Sequence, residues 1–320
     1  MNEVLKLYDE STNTGVDVEA VRDRLKNFLI KSDKKQSIIA RSLGVSETAL
    51  SQFLSGKYLG NVMNLAEKAE QFLSLEYERL EKPKLPNFAF TSTAREIYSA
   101  VKYAHVNNDI SMICGEAGRG KTMALEQYTT ENKGVVYVQA DSTITSSKAI
   151  LEEILDALGK KMTGSERLLK KAIIDALRDS GRVIIVDEAQ HLNLKAFHAL
   201  RALNDKGHIG LVLAGNQSVY DRMHGRGEDH FAQLSSRVGM KKLIPRYICK
   251  EDIEEIFKSK CLDQDSITYL HNLANDTKEK GGLRYMMKVY MLAANVAHAQ
   301  GTNINIGHLE LAHKMQSGEA

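Results

Sequence analysis

The sequence contains no tryptophan and only three cysteines and three prolines among its 320 residues. The cysteines, Cys114, Cys249 and Cys261, lie far apart without the spacing of a metal site, and so sparse and odd a set is typical of a reducing compartment. No run approaches the roughly 18 apolar residues of a membrane span. The first residues, MNEVLKLYDESTNTG, lack the apolar stretch of a secretory signal. We therefore expect a cytoplasmic protein that has no membrane partner.

An excess of charge of one sign is lacking as well. Lysine and arginine number 43 against 41 aspartates and glutamates, which leaves a net charge of +2. A surface that binds nucleic acid must therefore be local, because the chain as a whole is not basic. Hydrophobic residues make up 43% and charged residues 26%, as in ordinary soluble proteins. The length allows one large domain or two modest ones.

Two of the three prolines fall in EKPKLPN, residues 81–87, which predicts an extended connector. The chain before it has helical periodicity with almost no strand signal, whereas short apolar runs alternate with helical stretches after it. Such alternation predicts a parallel sheet with both faces covered. From about Tyr247 onward the pattern is helical again. The expected strands are ISMIC, GVVYVQA, RVIIVD and IGLVLAG.

Residues 36–56, QSIIARSLGVSETALSQFLSG, meet the requirements of a helix-turn-helix. Ala40 supplies a small residue where two helices cross, and Gly44 supplies a turn residue for which a left-handed backbone is inexpensive. Ser46 is placed to cap the second helix, with Ala49 three residues further on. The stretch resembles the helix-turn-helix of phage repressors. The apolar positions expected between the helices are Ile39, Leu43, Val45, Leu50 and Phe53.

The second of these helices would present short polar side chains suited to base edges or phosphates. No lysine or arginine occurs on that face before Lys57, so a sequence-specific interaction is less well supported than the motif itself. An ordinary helical hairpin is the alternative interpretation. The candidate DNA-binding residues here are Glu47, Thr48, Ser51, Gln52 and Lys57.

GEAGRGKT fits the phosphate-loop pattern G-x-x-x-x-G-K-[ST], and it lies between a predicted strand and a predicted helix. Backbone N–H groups of such a loop, together with the helix N-terminus, form a concave site for phosphate. Lys121 can reach the β- and γ-phosphates of ATP, and the Thr122 hydroxyl can bind Mg²⁺. The predicted phosphate cradle comprises Gly115, Glu116, Ala117, Gly118, Arg119, Gly120, Lys121 and Thr122.

Acidic and amide side chains follow the next predicted strands. Asp187 and Glu188 end the apolar run in RVIIVDEAQHL, and Asn216 ends IGLVLAGN. Ligands of open α/β sheets gather at the carboxyl ends of strands. We expect Asp187 to hold Mg²⁺ through water, Glu188 to activate the attacking water, and Asn216 to contact that water or the γ-phosphate. The alternatives are a helix cap for Asp187 and a turn residue for Asn216.

This order of elements resembles that of the AAA+ ATPases, from about residue 92 to residue 300. HFAQLSSRVGM resembles the segment that carries the arginine finger, which implies that Arg237 reaches the γ-phosphate bound by a neighbouring subunit. Arg222 and Arg226 are the next candidates for that role. GGLRYMMKVYMLAA resembles the sensor-2 helix, which implies that Arg284 contacts phosphate from a lid of the same subunit. A plain surface charge is the alternative for Arg237 and Arg284.

The combination of DEAQHL, LVLAGN and an N-terminal helix-turn-helix is similar to the family of the phage Mu B transposition proteins and, more distantly, to TnsC and IstB. The resemblance covers nearly the whole chain. It implies an ATPase that polymerises on double-stranded DNA when ATP is bound and recruits a transposase, which in turn provokes hydrolysis. It also implies a phage- or prophage-encoded protein that acts in the bacterial host cell.

The resemblance requires a DNA surface on the ATPase body, and LGKKMTGSERLLKKAI is the best candidate. Its cations would contact the DNA backbone without sequence preference, while Leu168, Leu169, Ala172 and Ile173 would face inward. A solvated helix face is the alternative. The candidate cations are Lys160, Lys161, Arg167, Lys170 and Lys171.

We therefore predict an α/β fold: an AAA+ P-loop core with a parallel sheet, an N-terminal all-α helix-turn-helix domain and a C-terminal helical lid. Two other functions stay open: a transcription regulator switched by nucleotide, and an AAA+ ATPase of a secretion or signalling system. The predicted domains are residues 1–80, a linker at 81–91, the core at 92–245 and the lid at 246–320.

Overall fold

The computed structural model describes residues 16–32, 34–224, 236–276 and 282–318, with the side chains of 222–224 excepted. The chain divides into two compact units, Met1–Pro83 and Lys84–Ala320. The division lies within the connector predicted from the two prolines. None of the helices in the described ranges is long and apolar enough to span a membrane.

The first unit is helical in its described elements, and the predicted helix-turn-helix is present. Gly44 at the turn has φ +70°, a left-handed backbone that favours glycine. The Ser46 hydroxyl accepts a hydrogen bond from the backbone N–H of Ala49 at 3.1 Å, as predicted for the cap. The helices are α1 (Val18–Lys31), α2 (Gln36–Ser42), α3 (Glu47–Leu54) and α4 (Val62–Glu81).

A single apolar core holds these four helices together. Leu50 and Phe53 of α3 are fully buried, so one face of this helix is committed to the core and the other faces solvent. The guanidinium of Arg22 in α1 lies 5.2 Å from the centre of the Phe53 ring, which adds a cation–π contact to the packing of α3. Of the apolar positions expected between the two helices, Ile39, Leu43, Leu50 and Phe53 are buried and Val45 is partly buried.

The second unit contains a five-stranded parallel sheet of order β2-β3-β4-β1-β5. Four of its strands are those expected from the apolar runs. The fifth, β5, was not predicted, because it lies at the edge of the sheet, where its residues are alternately half-buried and exposed. The strands are β1 (Ile110–Cys114), β2 (Val135–Gln139), β3 (Val183–Asp187), β4 (Gly210–Gly215) and β5 (Val238–Leu243).

Helices cover both faces of this sheet, as parallel sheets require. Side chains of α5 and α6 pack on one face with Ile113 and Ile185, and side chains of α7, α8 and α9 pack on the other with Met112 and Ile184. The helices of this part are α5 (Ser92–Asn107), α6 (Lys121–Glu131), α7 (Ser147–Ala157), α8 (Glu166–Leu177), α9 (Leu194–Gly207) and α10 (Gln217–His224).

The last part of the second unit is helical and has its own apolar core around Phe257, Met286 and Tyr290. It is joined to the α/β part through Asp252, whose carboxylate accepts hydrogen bonds from the backbone N–H and the hydroxyl of Ser92, both at 2.6 Å. The carboxylate thus lies at the first turn of α5, where negative charge is favourable. The helices are α11 (Lys250–Phe257), α12 (Gln264–Asn275), α13 (Gly282–Ala299) and α14 (Ile306–Ser317).

Candidate nucleotide site and nucleic-acid interface

The predicted phosphate loop lies at the carboxyl edge of the sheet, between the end of β1 and the start of α6. Gly120 has φ +83° and immediately precedes the helix, a conformation that leaves the first N–H groups of α6 directed toward the loop. The side chain of Lys121 folds back over the loop, and its ammonium donates to the carbonyl oxygens of Gly115 and Glu116, both at 2.8 Å. Hydrogen bonds from Lys121 therefore hold the first residues of the loop around its ammonium group.

Lys121 is buried, with 7% of its surface exposed. Burial lowers the pKa of its ammonium, whereas the nearby carboxylates of Glu188 and Asp187 raise that pKa, and the charge of Arg284 lowers it further. Four charged groups from three parts of the chain therefore surround one small volume: Lys121, Asp187, Glu188 and Arg284. An anionic ligand would relieve the crowding of the cations.

Asp187 is completely buried at the last position of β3. Its Oδ2 accepts a hydrogen bond from the Thr122 hydroxyl at 2.7 Å and another from the Tyr137 hydroxyl at 3.3 Å. Burial, reinforced by the charge of Asp187, raises the pKa of Tyr137 well above its usual value, so this hydroxyl stays a donor. The carboxylate is thus held in place from α6 and from β2.

Glu188 and Asn216 lie at the ends of neighbouring strands. Glu188 follows β3 with φ +54°, a left-handed conformation that is uncommon for a residue with a side chain. Asn216 follows β4, and its side-chain oxygen accepts hydrogen bonds from the backbone N–H and the hydroxyl of Ser218 at 2.9 and 2.7 Å. Because Gly115 N–H donates to the carbonyl of Gly215 at 3.2 Å, Asn216 is adjacent to the phosphate loop.

Arg284 lies in the first turn of α13 and is exposed. The start of this helix is fixed against the phosphate loop, because the backbone N–H of Leu283 donates to the carbonyl of Gly118 at 2.9 Å. The structure therefore brings the predicted sensor-2 residue next to the loop, close enough for the charge of Arg284 to lower the pKa of Lys121.

Two residues at unspecified (x) positions of the phosphate-loop pattern have contacts that the sequence did not predict. The Glu116 carboxylate forms an ion pair with Arg246 at 2.6 Å, just beyond β5. Arg119 donates to the carbonyl of Ala274, in the last turn of α12, at 3.4 Å. The phosphate loop is therefore tied by its own side chains to the helical part that follows the sheet.

Arg237 lies far from the phosphate loop of its own subunit. It is exposed and immediately precedes β5, whose first residue, Val238, pairs with Ile110 at the amino end of β1. The loop follows the opposite end of β1, about 16 Å away at roughly 3.3 Å per strand residue. The position of Arg237 therefore rules out a contact with phosphate in the same subunit. Arg226 and the side chain of Arg222 lie outside the described residues.

The candidate DNA-binding side chains of the first unit share one face of α3 and the turn after it. The opposite face of this helix is buried through Leu50 and Phe53. No carboxylate other than Glu47 belongs to this face of α3. The exposed candidates are Glu47, Thr48, Ser51, Gln52 and Lys57.

The basic segment, by which we mean residues 160–171, begins in the loop after α7 and continues into α8. Lys160, Lys161, Arg167 and Lys171 are exposed, whereas Lys170 is partly buried and approaches Glu166 at 4.0 Å. The prediction that Leu168 faces inward is wrong, because 53% of its surface is exposed. The buried stripe of α8 is Leu169, Ile173, Ile174 and Leu177, and Leu168 lies outside it.

Family models match two parts of the chain. An AAA domain matches residues 105–223, which include the phosphate loop, Asp187, Glu188 and Asn216. A model described as "Mu B transposition protein, C terminal" matches residues 236–315. The second match begins just before Arg237 and includes α13 with Arg284.

Two curated relatives align with most of the chain. It is 28% identical over 301 residues to the ATP-dependent target DNA activator B of Escherichia phage Mu, covering 93% of this chain and 95% of the relative. It is 31% identical over 272 residues to the Mu-like prophage FluMu DNA transposition protein B of Haemophilus influenzae, covering 84% of this chain and 94% of the relative.

Among solved structures, Cdc6p of Pyrobaculum aerophilum matches with a TM-score of 0.52 at 14% identity, covering 76% of this chain and 84% of that one. At such low identity the match concerns the fold alone, and it agrees with the predicted AAA+ type of α/β core.

Proposed function

The chain belongs to the family of the Mu B transposition proteins, and from this membership we propose that it is an ATP-dependent activator of target DNA in transposition. It is an ATPase with an AAA+ core. The observation that carries the proposal is the cluster of Lys121, Thr122, Asp187, Glu188 and Asn216 at one edge of the sheet. Membership in this family and a complete set of phosphate-site residues lead to the same function.

The phosphate loop would bind ATP through its backbone N–H groups and Lys121. The Lys121 ammonium donates to the carbonyl oxygens of Gly115 and Glu116 in this structure. With ATP bound it would turn to the β- and γ-phosphates, because hydrogen bonds to charged oxygens are stronger than those to neutral carbonyls. Arg284 would add a second cation from the start of α13. Both charges would then act on the bound phosphates.

The oxygen ligands next to the loop fit Mg²⁺. Mg²⁺ favours hard oxygen ligands and is commonly held by only one or two protein side chains, with water and phosphate completing its shell. The Thr122 hydroxyl and the buried Asp187 carboxylate form such a pair, and within the described residues no larger cluster of His, Cys, Asp and Glu is found. These two residues would hold the ion, which would neutralise charge on the phosphate oxygens.

Glu188 would accept the proton of the attacking water, and Asn216 would contact the water or the γ-phosphate. The remaining charge on the transferred phosphoryl group would be covered by Arg237 of a neighbouring subunit. The distance of Arg237 from its own phosphate loop supports this division, because only another subunit can present it there. Hydrolysis would then depend on self-assembly.

DNA would be bound in two ways. The exposed polar face of α3, with Thr48, Ser51 and Gln52, has the shape and chemistry of a helix that enters a groove of double-stranded DNA. The basic segment would contact backbone phosphates without sequence preference. The assembled protein would present this DNA to a transposase in the cytoplasm of the bacterial host.

Electron microscopy with DNA of mixed sequence tests the proposal directly. We expect helical filaments when ATP and DNA are both present, and no filaments when either is omitted. At an ATP concentration that saturates the wild type but lies below the Kd of the variant, Lys121→Ala by itself should form none. Filaments that form equally well without ATP, or with Lys121→Ala, would contradict ATP-controlled binding of target DNA.

A further inference from the structure

Gln190 connects the two strand ends that carry Glu188 and Asn216. It lies in the short 3₁₀ helix Ala189–His191 that follows β3. Its side-chain amide donates to Oε2 of Glu188, and its side-chain oxygen accepts a hydrogen bond from the backbone N–H of Asn216 at 3.1 Å. One carboxamide thus uses its donor on one residue of the site and its acceptor on the other.

The end of β4 is shaped to admit this side chain. A Cβ atom at position 215 would lie 2.7 Å from the side-chain oxygen of Gln190 and 2.7 Å from Cγ2 of Val219. Only glycine therefore lets the Gln190 oxygen come close enough to the N–H of Asn216. The left-handed backbone of Glu188 contributes from the other side, since it turns the chain so that Gln190 lies over the end of β4.

The two hydrogen bonds of Gln190 limit where the Glu188 carboxylate can point. A half-exposed glutamate side chain has several rotamers, and a general base works only when it is directed at the proton that it must accept. Gln190 removes this freedom on the Oε2 side, and its second bond fixes the amide itself to the main chain of Asn216, just after β4. The direction of Glu188 is therefore coupled to the position of Asn216.

We propose that Gln190 is a positioning residue for ATP hydrolysis, which orients Glu188 and links it to the strand end that carries Asn216. This proposal rests on the proposed function, because it assumes that Glu188 activates the attacking water. Gln190 itself takes no part in binding the nucleotide. Its removal should lower the rate of the hydrolytic step and leave the affinity for ATP unchanged.

Gln190→Met tests the proposal, because methionine is unbranched and of similar length but has neither the amide donor nor the amide acceptor. We expect kcat for ATP hydrolysis to fall about 10-fold to 100-fold, as for a misdirected general base, while KM and the Kd for ATP stay within about 3-fold of the wild type. Gln217→Met is the matched control, since Gln217 donates only to Asp221 at the surface. It should leave kcat unchanged.

A double-mutant cycle shows whether Gln190 acts through Glu188. In the Glu188→Gln background, Gln190→Met should lower the residual kcat by no more than about 2-fold, because residues that act as one unit are not additive. Equal effects in both backgrounds would overturn the proposal, as would an unchanged or increased kcat for Gln190→Met alone.

The outcomes also separate this proposal from the function on which it rests. If Gln190→Met loses ATP binding or thermal stability, Gln190→Asn should be measured, because asparagine keeps the amide group on a shorter side chain. Loss of ATP binding in both variants would assign Gln190 a purely structural role. If Glu188→Gln hydrolyses ATP like the wild type, the proposed site is wrong. An inactive Glu188→Gln with a normal Gln190→Met contradicts only the role of Gln190.

Discussion

The phosphate loop and the basic segment both depend on lysines, but they place them in opposite surroundings. Lys121 is buried, fixed by two carbonyl oxygens, and surrounded by charged groups from other parts of the chain. Lys160, Lys161 and Lys171 extend into solvent from a loop and one helix face. A preorganised, partly desolvated charge interacts strongly with its ligand, whereas exposed charges contribute small and additive amounts.

From this difference we expect single substitutions at the nucleotide site to have large effects that depend on one another. Substitutions at the DNA surface should have small effects that add. Four expectations test that contrast, from the largest effect to the smallest, and a fifth, smaller one concerns the stability of the first unit.

The largest effect is expected for Arg237→Ala. A guanidinium supplied by a neighbouring subunit can be worth roughly 10³ or more in turnover, so DNA-stimulated ATP hydrolysis should fall by about that factor while ATP binding stays normal. Arg237→Lys should recover little, because lysine keeps the charge but lacks the planar pair of donors. The measurement is ATPase activity per subunit as protein concentration is raised on long DNA.

Mixing variants separates a contact between subunits from a contact within one. Arg237→Ala keeps an intact phosphate loop, and Lys121→Ala keeps an intact Arg237, so some interfaces in a mixture combine both intact partners. We expect partial recovery of activity. A mixture that assembles on DNA but stays as inactive as either variant alone would exclude Arg237 as the finger.

Glu188→Gln should lower kcat by roughly 10² to 10³, because it removes the proton acceptor and leaves the size of the side chain unchanged. ATP binding should persist, since Lys121 and Thr122 are untouched. Single-turnover hydrolysis and equilibrium binding of a fluorescent ATP analogue measure the two quantities separately. Wild-type turnover in this variant would refute the role of Glu188.

Lys121→Ala should weaken ATP binding about 100-fold, in the range measured when one partner of a buried, hydrogen-bonded charge pair is removed. Isothermal titration with ATP measures this. Lys206→Ala, which removes an exposed charge at the end of α9, is the control and should bind ATP normally. An unchanged Kd in Lys121→Ala would mean that the loop holds ATP without its lysine.

Replacing four lysines of the basic segment together should weaken DNA binding equally on unrelated sequences. Removing one lysine–phosphate interaction should reduce the slope of log K against log salt by about 0.9, so the slope should fall by up to about 3.6 if all four lysines bind phosphate. Each single replacement should have a small effect. The lysines to replace by alanine are Lys160, Lys161, Lys170 and Lys171.

The control for this experiment removes the same number of charges elsewhere on the second unit. It should leave the salt dependence of DNA binding nearly unchanged, because net charge alone is not the cause. An equal decrease in both variants would mean that the basic segment is not a specific DNA surface. The exposed control lysines are Lys102, Lys133, Lys195 and Lys206.

The smallest effect is expected at the cap of α3. Ser46→Ala removes the hydrogen bond to the N–H of Ala49 and should lower the free energy of unfolding of the first unit by about 1 kcal/mol. Ser42→Ala is the matched control, because that hydroxyl donates only to the carbonyl of Ile38 within α2. Its effect should be about a few tenths of a kcal/mol, measured by urea unfolding of the full chain. Equal effects of the two substitutions would contradict the capping role.

Much of the fold was predictable from local sequence patterns. Fully buried strands such as Val183–Asp187 are continuous apolar runs, and the turn at Gly44 and the cap at Ser46 follow from backbone preferences of single residues. The strand Val238–Leu243 was not predicted because an edge strand is only half-buried, and this one contains a glycine and two lysines. Leu168 was placed on the wrong face since its helix has a narrower buried stripe than the apolar letters indicate.

The sequence by itself determined the type of site: a phosphate loop, two carboxylates after one strand and an asparagine after another. Each of these could be predicted from the sequence because its role depends on neighbours within a few residues. Only the tertiary structure decided which other side chains complete it. Tyr137 reaches Asp187 from β2, Gln190 reaches the backbone of Asn216 just after β4, and Arg119 reaches the carbonyl of Ala274. These contacts join residues far apart in the chain, so they depend on strand order and register, which no local pattern encodes.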